Sequence, residues 1–479
     1  MGAEMSRAAS FCLVVACWAA IYLPGLGSLE IKGEEGRRIL PAVTMLETGN
    51  YLVPQVGSEP YFRKPPLVNW LIAASFKLTG VRNEWTARLP SVLCVLLVAL
   101  TFLTVARSAL RQSGSLFAAL IWLANAGMIE KGRLIEIEAL YVSLFGLALI
   151  LWLSLWHKRK SGWFTWTLPW IFLGLGILAK GPVHLFFFYS VVVAVLLFEG
   201  QLRQLFSIKH FAGILIMTGI FASWAIPYWQ TMQGASVGQN WAVQLTGRFT
   251  GDDFKLGSWL MNIPRGLAYF LPWTLLLPLV RKTNWTTNSD RNLARALTWG
   301  TAVPFLLVNL LPGALPRYSM PALVPACWLM AMTLSAPDVR WREKIWSTRS
   351  RQRLVIATAI VASLGLCAYA VAVVPSLQRR SKVKPIAEQI DRLVPNGEPI
   401  YAVDPDYQPF LFYVRSPLIY VSRLEDVPVT ARYLLVQAER ERELAESQRW
   451  SPRRPQPIQS FTDYRNHTVI LARVGTDSF

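Results

Sequence analysis

Cysteine and histidine are scarce in this chain. Its 479 residues hold five cysteines, Cys12, Cys17, Cys94, Cys327 and Cys367, and each lies inside an apolar run. None falls in the polar C-terminal region, so no disulfide framework and no CxxC metal site is available. The four histidines, His157, His184, His210 and His467, are scattered, and no HExxH occurs. A preformed zinc site of that kind is excluded. There is no Walker A sequence and no Gly-rich strand–helix turn, so nucleotide binding of those types is not indicated. Charge is thin as well. Only 16% of residues are charged, against 53% hydrophobic, and the mean hydropathy is +0.34. That is too apolar for an ordinary soluble protein and fits a polytopic membrane protein.

What charge there is carries one sign. The formal net charge is +19. Most of it falls in short loops between apolar runs, where cytoplasmic Lys and Arg orient a membrane protein. A nucleic-acid surface would need it on a soluble face.

A crossing helix needs about 20 apolar residues. Candidates are 8–25, 89–107, 114–130, 138–156, 163–179, 182–198, 209–228, 260–280, 293–312, 318–336 and 353–375. The first lacks a small-x-small cleavage site after it and reads as an uncleaved span rather than a signal peptide. A shorter apolar piece, Leu67 to Leu78, either crosses or lies in the interface. If it does not cross, Arg7, Arg107/Arg111, His157 to Lys160, Arg203/Lys209, Arg281/Lys282 with Arg291, and Arg340 to Arg353 share one side. The opposite loops then hold Glu34/Glu35, Glu136/Glu138 and Asp252/Asp253. This positive-inside pattern predicts about eleven spans, an interfacial helix at 66–79, the N-terminus in and the C-terminus out.

From about Lys382 the character changes. Val383–Leu393 is amphipathic, and Glu439–Glu446 is a charged helical stretch. Short β-rich runs occupy Pro399–Val403, Phe410–Val414, Leu418–Val421, Tyr433–Val436 and Thr468–Ala472. Pro452 to Pro457 reads as a loop. The expected organisation is a transmembrane domain over 1–380, with its first outer loop at 26–88, and a small extracytoplasmic α/β domain over 381–479.

The first outer loop carries Glu34, Glu35, Arg37, Arg38, Glu47, Arg63 and Lys64. Ile39, Leu40, Val43 and Leu46 recur at helical spacing, which predicts a helix along the membrane surface. Glu34 and Glu35 stand at its N-terminal end. There they either complement the helix dipole or do chemistry. The next outer loop carries Lys131, Arg133, Glu136 and Glu138. Carboxylates entering apolar sequence are costly unless paired or functional. They pair with Lys131 or Arg133, or form a second acidic group facing the first loop. Lys180 and Arg317 sit at two further outer edges. They either snorkel to headgroups or, with Lys64, bind a phosphate leaving group.

The order of motifs is specific. It runs Glu34-Glu35-x-Arg37, then Leu46-Glu47-Thr48-Gly49-Asn50-Tyr51-Leu52-Val53-Pro54, then Tyr61-Phe62-x-Lys64-Pro65-Pro66, then Ala87-Arg88-Leu89-Pro90-Ser91. Ala179-Lys180-Gly181-Pro182 and Leu315-Pro316-x-Tyr318-x-x-Pro321 follow. This order resembles the lipid A aminoarabinose transferases and the wider bacterial relatives of protein O-mannosyltransferases, from residue 8 to about 340. The resemblance implies a GT-C glycosyltransferase of the bacterial inner membrane. Such an enzyme takes a sugar from a polyprenyl-phosphate donor and transfers it, with inversion, to a lipid, glycan or protein acceptor outside the cytoplasm.

The resemblance also implies site residues. The family pattern begins Asp-Glu-x-Arg-Tyr, and here it reads Glu34-Glu35-Gly36-Arg37-Arg38, which puts Glu34 at the key acidic position. The second acid of the family matches Glu138, with Glu136 as close competitor. The aminoarabinose transferases hold a metal with the Glu of Tyr-Phe-Glu-Lys-Pro and a later His. Here Arg63 stands at the first position, and Lys255 to Pro264 contains no His. Both departures bear on the metal site and on the aminoarabinose substrate.

The chemistry needs a base for the acceptor hydroxyl and cations for the departing phosphate. Glu34 is the expected base, kept ionised by a nearby cation. Glu138 is the second acid and Glu35 a structural neighbour. Lys64, Arg37 and Arg317 are expected to converge on one extracytoplasmic cavity with Lys180 at its edge. Tyr61, Tyr318, Glu136 and Arg133 complete the candidate set. Two rivals remain at this level. A transporter or flippase would place charges mid-span or repeat an interrupted helix pair. An inactive relative would only scaffold.

Overall fold

The computed structural model describes residues 5–475 except 58, 62–63, 159–161, 233–237, 239–253, 342–343, 406–407, 447–449 and 451–452. Phe62, Arg63, Arg159, Lys160, Asp252 and Asp253 therefore lie outside the described residues, as does part of the expected 452–457 loop.

The chain divides into two compact units. One comprises Met1–Leu26, Arg63–Leu67 and Leu89–Val371; the other comprises Gly27–Phe62, Val68–Arg88 and Ala372–Phe479. The first is helical. Each of the eleven expected stretches falls on helical chain. Among the described residues, six helices are long and apolar enough to cross a membrane: Glu84–Thr104, Ile137–His157, Gly162–Ala179, Ile208–Thr231, Asn288–Leu310 and Thr348–Gln378. A seventh candidate is broken, with Leu256–Ala268 and Trp273–Lys282 meeting at 74°. The Arg7–Tyr22 and Val183–Phe198 helices are apolar but have 16 residues each. They rise about 24 Å, short of about 30 Å of hydrocarbon. The expected 114–130 span begins in Arg107–Leu123 and breaks before a short helix, Ala126–Lys131.

Buried polar groups tie these helices together. Trp18 Nε1 donates to the Val92 carbonyl at 2.8 Å, and Trp122 Nε1 to that of Val95 at 3.0 Å. Arg351, fully buried, donates to the carbonyls of Leu334 at 2.9 Å and Ala336 at 2.6 Å. It satisfies the C-terminal end of the Leu323–Ser335 helix, where carbonyls otherwise lack partners.

In the second unit a 3-10 turn, Gly33–Glu35, leads into the Gly36–Thr48 helix. That helix buries Ile39, Leu40, Ala42 and Met45, whereas Val43 and Leu46, which the spacing put on the apolar face, are only half-buried. Gly49 ends it at φ 72°, a left-handed conformation that a residue without Cβ adopts without strain. The Leu67–Thr79 helix has 13 residues, a rise of about 20 Å.

The last hundred residues carry a five-stranded mixed sheet. Its strands are β1 Ile400–Val403, β2 Leu418–Val421, β3 Tyr433–Gln437, β4 Pro455–Thr462 and β5 Thr468–Val474. The order is β2-β1-β3-β5-β4, parallel across β2-β1-β3 and antiparallel across β3-β5-β4. Val403, Leu434, Val436, Ile470 and Trp450 pack in its core. Two expectations are corrected. Phe410–Val414 is not a strand, since Pro409–Phe412 forms a 3-10 helix started by Pro409 at its first position. The 452–457 stretch is not all loop, because β4 starts at Pro455.

Polar clamps fix the first-loop segment to the C-terminal segment within this unit. Glu30 accepts from the backbone N–H groups of Lys382 (2.8 Å), Val383 (2.8 Å) and Lys384 (3.1 Å), and it pairs with Lys32 at 2.9 Å. Burial alone would raise the Glu30 pKa, but these donors outweigh it and lower the value. Tyr413 Oη accepts from Ile31 N at 2.7 Å and donates to Glu84 at 3.0 Å. Burial, reinforced by Glu84, raises its pKa and keeps the phenol a donor.

Candidate active site

Each unit brings candidate site residues together in a cluster of paired charges. In the second unit the cluster is built where the Gly33–Glu35 turn runs into the Gly36–Thr48 helix. Residues three and four apart share a helix face, so Glu34 meets both Arg37 (3.1 Å) and Arg38 (3.4 Å). Arg38 also donates to Tyr61 Oη at 2.8 Å, with its guanidinium 5.8 Å from the Tyr61 ring centroid. Asn69 Nδ2 donates to the Arg38 carbonyl at 2.8 Å. The Arg38 side chain is buried, whereas that of Glu34 is 34% exposed. Glu34 is thus a carboxylate held by two guanidiniums with one side open. Glu35 points elsewhere: it is buried and pairs with Arg88 through two hydrogen bonds.

In the first unit three helix ends meet. Glu138 lies in the first turn of Ile137–His157, Lys180 directly follows Gly162–Ala179, and Arg317 lies in the 3-10 turn Pro316–Ala322. An acid in a first turn and a base after a last turn each complement the helix dipole. Glu138 Oε1 lies 3.1 Å from Lys180 Nζ and 3.3 Å from Arg317 Nε. The Lys180 ammonium sits 4.8 Å from the Tyr318 ring centroid and 5.1 Å from that of Tyr141, close enough for cation–π attraction. Glu138 is buried, while the Arg317 side chain keeps 29% exposure.

Glu136, the competitor, answers a different cation. Its Oε2 lies 3.0 Å from Lys131 Nζ, which also meets Glu130 at 2.9 Å. Burial raises the Glu136 pKa, and Lys131 opposes that shift only in part. Arg133 donates to the carbonyls of Ile21 (3.0 Å) and Pro24. The choice left open between Lys131 and Arg133 as partner of these acids thus falls on Lys131 for Glu136, with Lys180 and Arg317 for Glu138. Lys64 is half-buried, just ahead of the Leu67–Thr79 helix.

Three partners went unassigned in the sequence reading. Arg38 stands where the family pattern has Tyr, but its i,i+4 spacing from Glu34 signalled the pair. Tyr141 is one helical turn beyond Glu138, a spacing that places it on the same face. No local signal pointed Arg88 toward Glu35, 53 residues away in sequence.

Among the described residues no group of three His, Cys, Asp or Glu side chains could hold a metal ion. Glu34, Glu136 and Glu138 each face cations instead. Arg63, at the position of the family's metal-binding Glu, lies outside the described residues.

Comparison with known proteins agrees with this architecture. The dolichyl-phosphate-mannose-protein mannosyltransferase family matches residues 63–227. The undecaprenyl phosphate-alpha-4-amino-4-deoxy-L-arabinose arabinosyl transferase 1 of Pseudomonas fluorescens is 28% identical over 304 residues, which are 60% of this chain and 53% of that protein. The corresponding transferase of Pseudomonas paraeruginosa is 25% identical over 394 residues, 79% of this chain and 67% of that one. The chain thus spans about half the length of the first of these relatives. The crystal structure of ArnT from Cupriavidus metallidurans bound to undecaprenyl phosphate superposes with a TM-score of 0.71 at 18% identity, covering 97% of this chain and 98% of that one. The archaeal oligosaccharyltransferase AglB from Archaeoglobus fulgidus gives 0.51 at 11% identity, covering 91% and 70%. In fold the chain is similar to ArnT, and in sequence it resembles the aminoarabinose transferases over much of its length.

Proposed function

We propose that this protein is an inverting glycosyltransferase that moves a sugar from a polyprenyl-phosphate donor to a hydroxyl of a lipid, glycan or protein acceptor on the extracytoplasmic face. The observation that carries the reading is the meeting of Lys180 and Arg317 on one buried carboxylate, Glu138. Two cations from separate segments, one still partly exposed, suit a phosphate that gains charge as it leaves. The relatives act from undecaprenyl phosphate sugars by their names, and ArnT binds undecaprenyl phosphate, which supports the donor class.

In this reading the acceptor oxygen attacks the anomeric carbon from the face opposite the phosphate. A carbon–oxygen bond forms there, and the bond from that carbon to the phosphate oxygen breaks. The electron pair stays on the phosphate, which Lys180, Arg317 and Lys64 stabilise. Glu34 takes the acceptor proton as general base, with Arg37 and Arg38 holding its carboxylate in one orientation. Glu138 positions the two cations. The polyprenyl tail lies among apolar helices. The proposed topology is about eleven passes, with 66–79 in the interface and the C-terminal sheet outside.

The test is transfer from a defined polyprenyl-phosphate sugar to lipid A and to other glycan, lipid and protein acceptors, with purified protein in detergent. The reading requires transfer by the native chain and its loss in Glu34→Gln and Lys180→Ala. A native chain inert toward every donor, yet well folded, would leave a scaffold.

A further inference from the structure

A pocket of about 450 Å³ opens at one end of the helical unit, between the first residues of Arg7–Tyr22, the last of Glu84–Thr104 and the first of Arg107–Leu123. Its polar lining is Arg7, Ser10, Thr104, Arg107, Gln112 and Ser115. Arg107 Nη2 donates to Gln112 Oε1 at 2.6 Å, and Gln112 Nε2 donates to the Met5 carbonyl. Neither guanidinium has an acidic counter-ion among the described residues. The pocket thus places two positive charges on shared walls, with no carboxylate of the described residues paired to either.

Loop cations of this kind are ordinarily a solvated orientation signal. A second observation points to a ligand. Ser10 is 2% exposed, and its Oγ has no hydrogen-bond partner among the described residues. A buried hydroxyl left unpaired is costly, and this one lines the pocket. Two guanidinium forks and a hydroxyl donor suit the several acceptor oxygens of a phosphate group. Phe11, 47% exposed, and Leu103 supply an apolar wall beside them.

We infer that this pocket is a phosphate-group site that takes the headgroup of an anionic phospholipid, with an acyl chain against Phe11 and Leu103. It belongs with the basic pockets between helices that recognise such headgroups. It is independent of the transfer chemistry, because none of its residues has a role there.

The test uses the full chain in neutral detergent, with native mass spectrometry and thermal unfolding as readouts. Phosphatidylglycerol, phosphatidylcholine and inorganic phosphate are added separately. Phosphatidylglycerol should be retained and raise the unfolding temperature, and phosphatidylcholine should do neither. Arg7→Gln with Arg107→Gln should weaken phosphatidylglycerol binding about tenfold or more, the scale of a charge-assisted hydrogen bond. Ser10→Ala should weaken it too, while its unfolding without lipid matches the native chain. If the double variant does not fold, Arg107→Lys and Ser10→Ala carry the comparison. Binding of inorganic phosphate, lost in the same variants, would support the phosphate site with a free anion as its source. Equal retention of the two phospholipids, or binding unchanged in all variants, would overturn the inference.

Discussion

Arg88 grips Glu35 with two parallel hydrogen bonds, Nε to Oε1 at 2.9 Å and Nη2 to Oε2 at 2.8 Å, and both side chains are almost fully buried. Arg88 also donates to the Leu29 carbonyl at 2.9 Å. The pair holds the start of the surface helix while Glu34, next in sequence, faces the open side.

Removing one partner of a buried pair strands the other charge, at a cost of about 3–5 kcal/mol. Glu35→Gln and Arg88→Met should each lower the unfolding temperature in detergent sharply. A melting curve like that of the native chain in either variant would show that the pair does not hold the unit.

Glu34→Gln keeps the shape of the side chain and removes its basicity. Turnover should fall by about 10²–10⁴, the range of general-base catalysis, while donor binding persists. Donor titration and single-turnover transfer separate the two effects. Full turnover in a folded Glu34→Gln protein excludes Glu34 as base. Abolition by Glu138→Gln with Glu34→Gln active exchanges the assigned roles.

Lys180→Ala and Arg317→Ala should each reduce kcat by about 10²–10³, as loss of one donor to a developing anion does. Lys180→Arg should recover part of it. An effect confined to KM would mean that these cations hold the ground state only.

Glu30 sets a pH dependence. Its pKa in the folded protein is lowered from the ordinary 4.5. Its contribution to stability is therefore fully present above pH 4.5 and is lost as pH falls through the lower folded value. The protection of the Lys382, Val383 and Lys384 amides, taken relative to their intrinsic exchange at each pH, should fall on acidification below pH 4.5. Glu30→Gln should flatten that response. Acid-insensitive protection in the native chain would contradict it.

A reporter fused after Phe479 should be active only outside the cytoplasm, as the placement of Lys and Arg requires. Activity confined to the cytoplasm would invert the topology and, with it, the face on which the acids act.

Helices were the legible part of the sequence. A 3.6-residue period in Ile39, Leu40, Val43 and Leu46 gave the Gly36–Thr48 helix, though not the residues it buries most deeply, and apolar runs gave the helical unit. Broken geometry was not legible: the 74° bend near residue 270 lies inside one continuous apolar run. β4 was hidden by Pro455 and Pro457, which propose a loop. It survives because it is the outermost strand, where a missing N–H costs no ladder bond, and because the register slips opposite Leu471 and Ala472. At the site, spacing identified Glu34 with Arg37, and motif order identified Glu138. The partnership of Glu138 with Lys180 and Arg317 depends on three helix ends meeting in space, which no local pattern encodes.

The Glu30 clamp has a consequence for biogenesis. Its carboxylate is among the first acids made, and the amides it binds lie more than 350 residues later. Closing so long a loop costs only slightly more entropy than closing a moderate one, so the clamp is thermodynamically cheap. In time it is late. On the ribosome, the segment around Glu30 must wait without these partners until synthesis has passed Lys384, after the helices of the first unit.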